Sequence, residues 1–310
     1  MRAALAVFQH TLPDTPRVCP RIAWGPWKDE QPPDPLAIPL SDEEFLLFQR
    51  QIHQDVGIYL SPAKKALVAG RLWKRLRHYG FGSYRDYFLF AIQGPGRAMG
   101  EYEVMIDLIS TNETHFFREP HHFRFLAETV LPRWSAPAGT PFRVWSAACS
   151  SGEEAYSLAI TLAEHFGNGE QGRYEVLATD INQTVLQKAQ LAIYPISQIH
   201  EIPQAYLCKY FLKGVRRQAG TIRVDPLICQ KVRFQRMNLN EPLPRMPAFD
   251  VIFCRNVLIY FDRETKRRVV AKLLEVLKPG GYLFVGHSES LNGVTDAVQP
   301  VVPTVYRKEG

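Results

Sequence analysis

The sequence predicts an α/β fold with a mostly parallel, Rossmann-like sheet and an antiparallel last strand, preceded by a small all-α domain. Three observations carry this. From residue 142 onward, apolar β-prone runs alternate with amphipathic helical patterns, as expected of a parallel sheet with helices on both faces. Residues 41–110 hold helical patterns and no strand pattern. Between them in importance lies Val144–Ser157, where an apolar run passes through small residues and Gly152 into a helix. A strand, a tight turn and a helix start present backbone N–H groups to a cofactor, and small side chains let it approach. Only Gly152 is glycine here, so the dinucleotide pattern GxGxxG is absent and a cofactor without phosphates is favoured; a plain tight connection is the other reading.

At 310 residues, with 46% hydrophobic and 22% charged residues, the chain has the size of about two soluble domains. No apolar run approaches the roughly 20 residues that span a bilayer, and the N-terminal apolar patch is too short for a secretory signal. Cys19, Cys149, Cys208, Cys229 and Cys254 are scattered without a CxxC, which argues against a disulfide framework or zinc site and for a cytoplasmic setting. A net charge of +6 permits a nucleic acid or an acidic protein surface as partner without choosing between them.

Residues 1–40 are proline-rich and read as an extended, poorly ordered leader, or as an arm packed through Trp24 and Trp27. Ser41-Asp42-Glu43-Glu44 forms a capping box before Phe45, Phe48, Ile52 and Val56, and Gly57 stops that helix. Ser61-Pro62 opens a second helix with Val68, Leu72, Leu76 and Tyr79 as its apolar stripe. Lys64, Arg71, Arg75 and His78 fall on a neighbouring stripe, and no acid occurs between Asp55 and Asp86. A solvated face usually mixes signs, so this one reads either as a plain surface or as a dock for an anionic partner. Helices at 83–93 and 99–109 complete a helical domain over 41–110. An interdomain loop and helix occupy 111–135, and the α/β domain takes 136–310.

Within the α/β domain, strands fall at 142–147, 174–179, 249–254 and 281–286, and helices at 153–166, 182–192 and 262–277. The pattern breaks between 194 and 240. A helix at 201–211 and short strands at 221–224 and 231–234 suggest a small β-subdomain over about 195–235. Lys278-Pro279-Gly280-Gly281 reads as a turn, and 301–308 as an antiparallel edge strand.

Two strand ends carry chemistry. Asp180 closes an apolar strand, where a carboxylate can accept both ribose hydroxyls; a helix cap is the other use, and Asn182 already explains the cap. Arg255-Asn256 follows the buried run 249–254, at the carboxyl end where ligands bind, or serves as structural hydrogen-bonders. His115, His121 and His122 lack HExxH spacing, so no metal is expected.

Thr111-Asn112-x-Thr114 through Phe116-Phe117-Arg118-Glu119, Gly152-Glu153-Glu154, Thr179-Asp180-Ile181 and Cys254-Arg255-Asn256-Val257-x-Ile259-Tyr260-Phe261-Asp262 occur in order. Together they resemble the chemotaxis-receptor glutamate methyltransferases of the CheR type, over roughly 41–308. The resemblance implies a class I S-adenosylmethionine-dependent methyltransferase, with S-adenosylhomocysteine as product. It implies cofactor contacts at Asn112, Thr114, Arg118, Glu153, Asp180, Asn238, Leu239, Arg255 and Asn256. The sequence departs from the family at Glu113, often apolar there, at Ala155, where proline is frequent, and in its leader.

Such a reaction needs no general base, because a glutamate side chain is ionised near pH 7 (pKa about 4.3). The sequence offers no obvious His–Asp or Cys–His set, in keeping with this. Arg118 and Tyr260 are the candidates for positioning the carboxylate and the cofactor's reactive end, against an interface salt bridge and a core tyrosine as alternatives. The implied partner is the acidic, cytoplasmic helical region of chemotaxis receptors, docked on the basic stripe, with a receptor tail at the β-subdomain. The rival readings are a non-catalytic module that senses S-adenosylmethionine and docks a partner, which would keep the same cofactor residues, and a methyltransferase acting on another protein or on nucleic acid; nucleic acid is disfavoured for want of an NPPY-type motif or aromatic-basic interleaving.

Overall fold

The computed structural model describes residues 38–137, 139–167 and 173–310. The expected leader lies outside these up to residue 37, while Leu40 at its end is buried in the helical core.

The helical domain is built from α1 (Asp42–Val56), α2 (Lys65–Tyr79), α3 (Tyr84–Ile92), α4 (Pro95–Ala98) and α5 (Glu101–Ile109). The capping box forms: Ser41 Oγ accepts from Glu44 N–H at 3.1 Å, and Glu44 accepts from Ser41 N–H at 2.9 Å. Gly57, at φ 76°, ends α1 in a left-handed cap. Phe48, Ile52, Val68 and Leu72 are fully buried, so the stripes read from the sequence form one core.

After α5 the chain enters α6 (Pro120–Phe125), widens to a π-helical turn over Leu126–Val130, and ends in α7 (Leu131–Arg133). Pro132 has no N–H to give to Glu128, which accounts for the irregularity within the expected continuous helix.

The α/β domain contains β1 (Phe142–Ser146), α8 (Glu153–Phe166), β2 (Tyr174–Asp180), α9 (Gln183–Leu191), β3 (Ile193–Pro195), α10 (Gln204–Tyr210), β4 (Phe211–Lys213), β5 (Thr221–Val224), α11 (Pro226–Cys229), β6 (Val232–Arg236), β7 (Phe249–Cys254), α12 (Arg263–Val276), β8 (Leu277–Val285), β9 (Val298–Val302) and β10 (Val305–Lys308). Seven strands form the large sheet in the order β6-β2-β1-β7-β8-β10-β9. The first five are parallel, and β10 returns antiparallel between β8 and β9. The order reverses beside β1, so the carboxyl ends of β1 and β7 flank a crevice, where such sheets bind ligands.

Three sequence expectations are corrected. The expected edge strand at 301–308 divides into the end of β9 and β10; β10 pairs antiparallel with β8 but is covered by β9, which takes the edge. The run at 231–234 does not belong to the small β-unit: β6 lies parallel to β2 at the edge of the large sheet, with Phe234 packed edge-on against Tyr156 of α8 at 5.6 Å. The small sheet consists of β3-β5-β4. Residues 278–281 are not a turn before a strand but lie inside β8, whose register against β7 shifts between Phe249 and Val251. Gly281 is needed there because a Cβ would meet the Asp250 carbonyl at 2.9 Å.

Polar contacts tie the helical domain to the sheet. Asp107 of α5 accepts from the backbone N–H groups of Gln183 and Thr184 at 3.0 and 2.9 Å, at the start of α9. Asn238 Nδ2 donates to the Asp55 carbonyl at 2.8 Å, and Ile58 bridges Phe261 antiparallel. These contacts hold the loop 110–119 over the carboxyl ends of the strands.

Candidate active site

A cavity opens between the helical domain and the carboxyl edge of the sheet. Its floor is the turn after β1, where Ala147, Ala148 and Ser150 face the space. Ser150 takes a left-handed conformation (φ 49°) and is fixed twice. Its N–H donates to Asp180 Oδ2 at 2.8 Å, and its hydroxyl donates to the Asn112 carbonyl at 2.9 Å. Gly152 does not line the cavity. At φ 96° it lets α9 and the small sheet pack closely, since a Cβ would meet Ala189 Cβ at 2.8 Å and the Tyr194 hydroxyl at 3.1 Å.

Asp180 lines the cavity at the end of β2, and Asn182 caps α9 by accepting from Val185 N–H. The expectation that the cap leaves Asp180 free is corrected. Its Oδ1 accepts from Asn182 N–H at 2.9 Å while Oδ2 holds Ser150. A carboxylate has about four lone-pair directions, so acceptor capacity remains toward the cavity. Burial raises its pKa, against the N–H groups that favour the charged form.

The loop between the domains supplies Asn112, Thr114 and Arg118. Phe116 and Phe117 are buried and fasten it to the core, and Phe117 N–H donates to Ser157 Oγ at 2.9 Å. Arg118 donates to the Glu113 carbonyl at 2.9 Å and lines the cavity. Glu113 itself lines the cavity, so the family departure adds an acid at the rim.

The end of β7 supplies Arg255, Asn256, Val257 and Tyr260. Arg255 has a side chain 1% exposed, bonded to Glu154 at 3.0 Å, to Glu119 at 3.2 Å and to the Arg118 carbonyl at 2.6 Å. Burial raises the Glu119 carboxyl, but the Arg255 guanidinium and the His287 N–H outweigh it and hold the pKa down at about 2. Burial raises that of Glu154 even against Arg255. Asn238 and Leu239, after β6, complete the wall.

Every expected cofactor residue except Glu153 therefore lines one cavity, and so does Tyr260. Glu153 is 2% exposed, accepts from Ser151 Oγ at 2.8 Å and lies outside the lining, whereas Glu154 lies within it. Adjacent helix residues point about a quarter-turn apart, and the phase of α8 selects the second acid. Sequence reading also missed Ile58, Tyr59 and Leu60, an apolar run in a connection between two helices, which was the available signal.

The basic stripe is corrected in part. Arg71 donates to the carbonyls of Ile109 and Ser110 at 2.7 and 2.8 Å, and Arg75 pairs with Glu101, itself 2% exposed. Both are internal struts. Lys64 and His78 are exposed, and so are Lys74 and Arg77.

Among the described residues, Glu119, His121 and His122 bring potential metal-ligand atoms within 4.8 Å of one another. Arg255 and His287 pair with the Glu119 carboxylate, and His122 Nε2 bonds Thr304 Oγ1 at 2.7 Å.

The lining combines a strand-end acid, small residues beneath, amides at the walls and apolar Ile181, Met237 and Leu239, a set that suits a nucleoside cofactor without phosphates. With the sheet order and its antiparallel end, this defines a class I S-adenosylmethionine-dependent methyltransferase. Residues 112–307 match the family described as CheR methyltransferase, SAM binding domain, and residues 43–110 match CheR methyltransferase, all-alpha domain. The chemotaxis protein methyltransferase of Klebsiella aerogenes is 40% identical over 270 residues, covering 87% of this chain and 90% of the relative. Chemotaxis protein methyltransferase 2 of Pseudomonas aeruginosa is 38% identical over 265 residues, covering 85% and 92%. Among solved structures, the N-methyltransferase NodS from Bradyrhizobium japonicum aligns with a TM-score of 0.35 at 12% identity, over 62% of this chain and 97% of that one. The chain belongs to the CheR methyltransferase family. Its cofactor is S-adenosylmethionine, and no helix among the described residues is long and apolar enough to cross a membrane.

Proposed function

We propose that this protein methylates glutamate side chains in the cytoplasmic helical region of chemotaxis receptors, forming methyl esters. The observation that carries the reading is that Arg118 and Tyr260 share the lining of the cofactor cavity, while the buried thiols Cys149 and Cys254 lie beneath it with pKa values pushed up by burial. The cavity thus offers positioning groups, and an acceptor that is already ionised suits it.

The bound cofactor supplies an electrophilic methyl group on a sulfonium. Asp180 would hold the ribose end, and Asn112, Thr114, Asn238 and Asn256 would hold the rest of the cofactor. Arg118 offers a planar fork to the incoming carboxylate, and the Tyr260 hydroxyl aligns it. Opposite charges cancel as the methyl moves, so strong stabilisation of the carboxylate alone would slow the step. Alignment is what helps, and orientation can contribute about 7–11 kcal/mol. The network Glu154–Arg255–Glu119 keeps the floor rigid.

The acceptor helix docks on the exposed cations Lys64, Lys74 and Arg77, beside exposed His78, and Lys64 also lines the cavity. A receptor tail adds a strand to an edge of the small sheet, where exposed Lys213, Arg216 and Arg217 favour an acidic tail.

The test is transfer of labelled methyl from S-adenosylmethionine to receptor fragments, DNA and RNA. Label on receptor protein that mild alkali releases as methanol supports the reading. Label on nucleic acid, or alkali-stable label on protein, contradicts it.

A further inference from the structure

We propose that Glu289, in the turn after β8, is a positioning residue for methyl transfer: it sets the loop that carries Asn256 and Tyr260. The sequence Gly286-His287-Ser288-Glu289 closes on itself, with Glu289 N–H donating to the Gly286 carbonyl at 2.8 Å. That fold-back turns the Glu289 side chain inward, leaving it 7% exposed. Its carboxylate then collects backbone N–H groups from the neighbouring strand end. Oε2 accepts from Asn256 N–H at 2.8 Å and from Gly286 N–H at 2.6 Å, and Oε1 accepts from Ile259 N–H at 3.1 Å.

Those bonds grip both ends of the loop 256–260. Asn256 stands in the left-handed region at φ 57°, a conformation a non-glycine residue keeps only when its surroundings impose it. Gly286 makes room: a Cβ there would meet the Asn256 backbone nitrogen at 2.8 Å and its side-chain nitrogen at 2.4 Å. From the other side His287 N–H donates to Glu119 Oε1 at 3.2 Å, so the same turn also leans on the loop bearing Arg118. Asn256 faces the cofactor cavity, and Tyr260 follows directly after the held Ile259. Glu289 itself does not line the cavity and acts through these neighbours.

Glutamine cannot replace the carboxylate. With one acceptor oxygen it can satisfy the Asn256 and Gly286 N–H groups or the Ile259 N–H, and its amide donors then face the other. For Glu289→Gln we expect a fall in kcat at saturating cofactor of up to about a hundredfold, the scale of a misplacement near 1 Å. We also expect weaker S-adenosylhomocysteine binding by calorimetry and faster amide exchange at Asn256 and Ile259. Gly286→Ala perturbs the same loop by pushing Asn256 aside and provides a second variant should the first fold poorly. Val298→Ala, at the start of β9 in the core and outside the lining, is the control, with kcat and affinity compared at matched loss of Tm. A loss of kcat or of cofactor affinity in either variant beyond that control supports the inference. Parity of both with the control overturns it and leaves Glu289 a purely structural residue. The role of Tyr260 rests on the proposed acceptor, whereas the calorimetric and exchange readings need no acceptor, so they remain decisive if that reading fails.

Discussion

Replacing Asp180 by asparagine keeps the shape of the side chain and removes one acceptor. In the native protein the two carboxylate oxygens accept from Asn182 N–H at 2.9 Å and Ser150 N–H at 2.8 Å. An amide satisfies one of these and turns its NH2 donors toward the other. Flipping it only exchanges the loser. A buried N–H left without an acceptor costs about 1–3 kcal/mol. Ser150 is the more exposed to this cost, because its left-handed backbone is held by that bond and by its hydroxyl on Asn112. The floor of the cavity then shifts, and the ribose hydroxyls lose an acceptor. We expect S-adenosylhomocysteine to bind about 10–100-fold more weakly, equivalent to about 1.4–2.8 kcal/mol. Calorimetry with purified protein reads this directly. A lowered Tm with unchanged affinity would refute the ribose assignment and make Asp180 a loop brace only.

Further outcomes follow from the same contacts. Arg118→Ala should lower kcat more than cofactor affinity, and Arg118→Lys should not restore it, because an ammonium lacks the planar fork; full activity of Arg118→Lys would contradict this. Lys74→Glu with Arg77→Glu should raise KM for receptor fragments at low salt, with the difference fading as salt rises. Arg75→Ala should instead destabilise the helical domain by about 3 kcal/mol, since it strips a partner from the buried Glu101; chemical denaturation separates the two effects. His122 is held neutral by burial and by nearby Arg255, its pKa falling from 6.5 to about 3. The unfolded chain then binds a proton that the native one refuses, so stability falls as pH drops below about 6.5, by at most about 1.4 kcal/mol per pH unit. Over about pH 5.5–7, above the range where Glu119 titrates in the folded or the unfolded chain, denaturation midpoints of His122→Gln should depend on pH less steeply than those of the native protein; parallel curves would contradict the assignment.

What the sequence made legible was local. The capping box at Ser41, the stop at Gly57 and the strand end at Asp180 each depend on a few neighbouring residues, and each forms where expected. What it hid depended on distant contacts or on phase. Arg71 and Arg75 looked like free charges because their partners lie beyond the acid-free stretch, at Ile109, Ser110 and Glu101. Glu153 and Glu154 are chemically identical neighbours, and only the rotation of α8 against the sheet decides which faces the cavity. β6 is short enough to suit either sheet until Phe234 is seen against Tyr156. Glu289 left no trace in side-chain patterning, because its partners are backbone N–H groups of another segment.

The central claim, that the acceptor is a carboxylate already charged when it meets the cofactor, is tested most directly by mapping the transferred methyl group. Receptor fragments incubated with this protein and S-adenosylmethionine would be digested and sequenced by mass spectrometry before and after mild alkali. We expect one added methyl on glutamate side chains of the receptor's helical region, lost after alkali. Methyl groups on nitrogen-bearing side chains, or modifications that survive alkali, would contradict it.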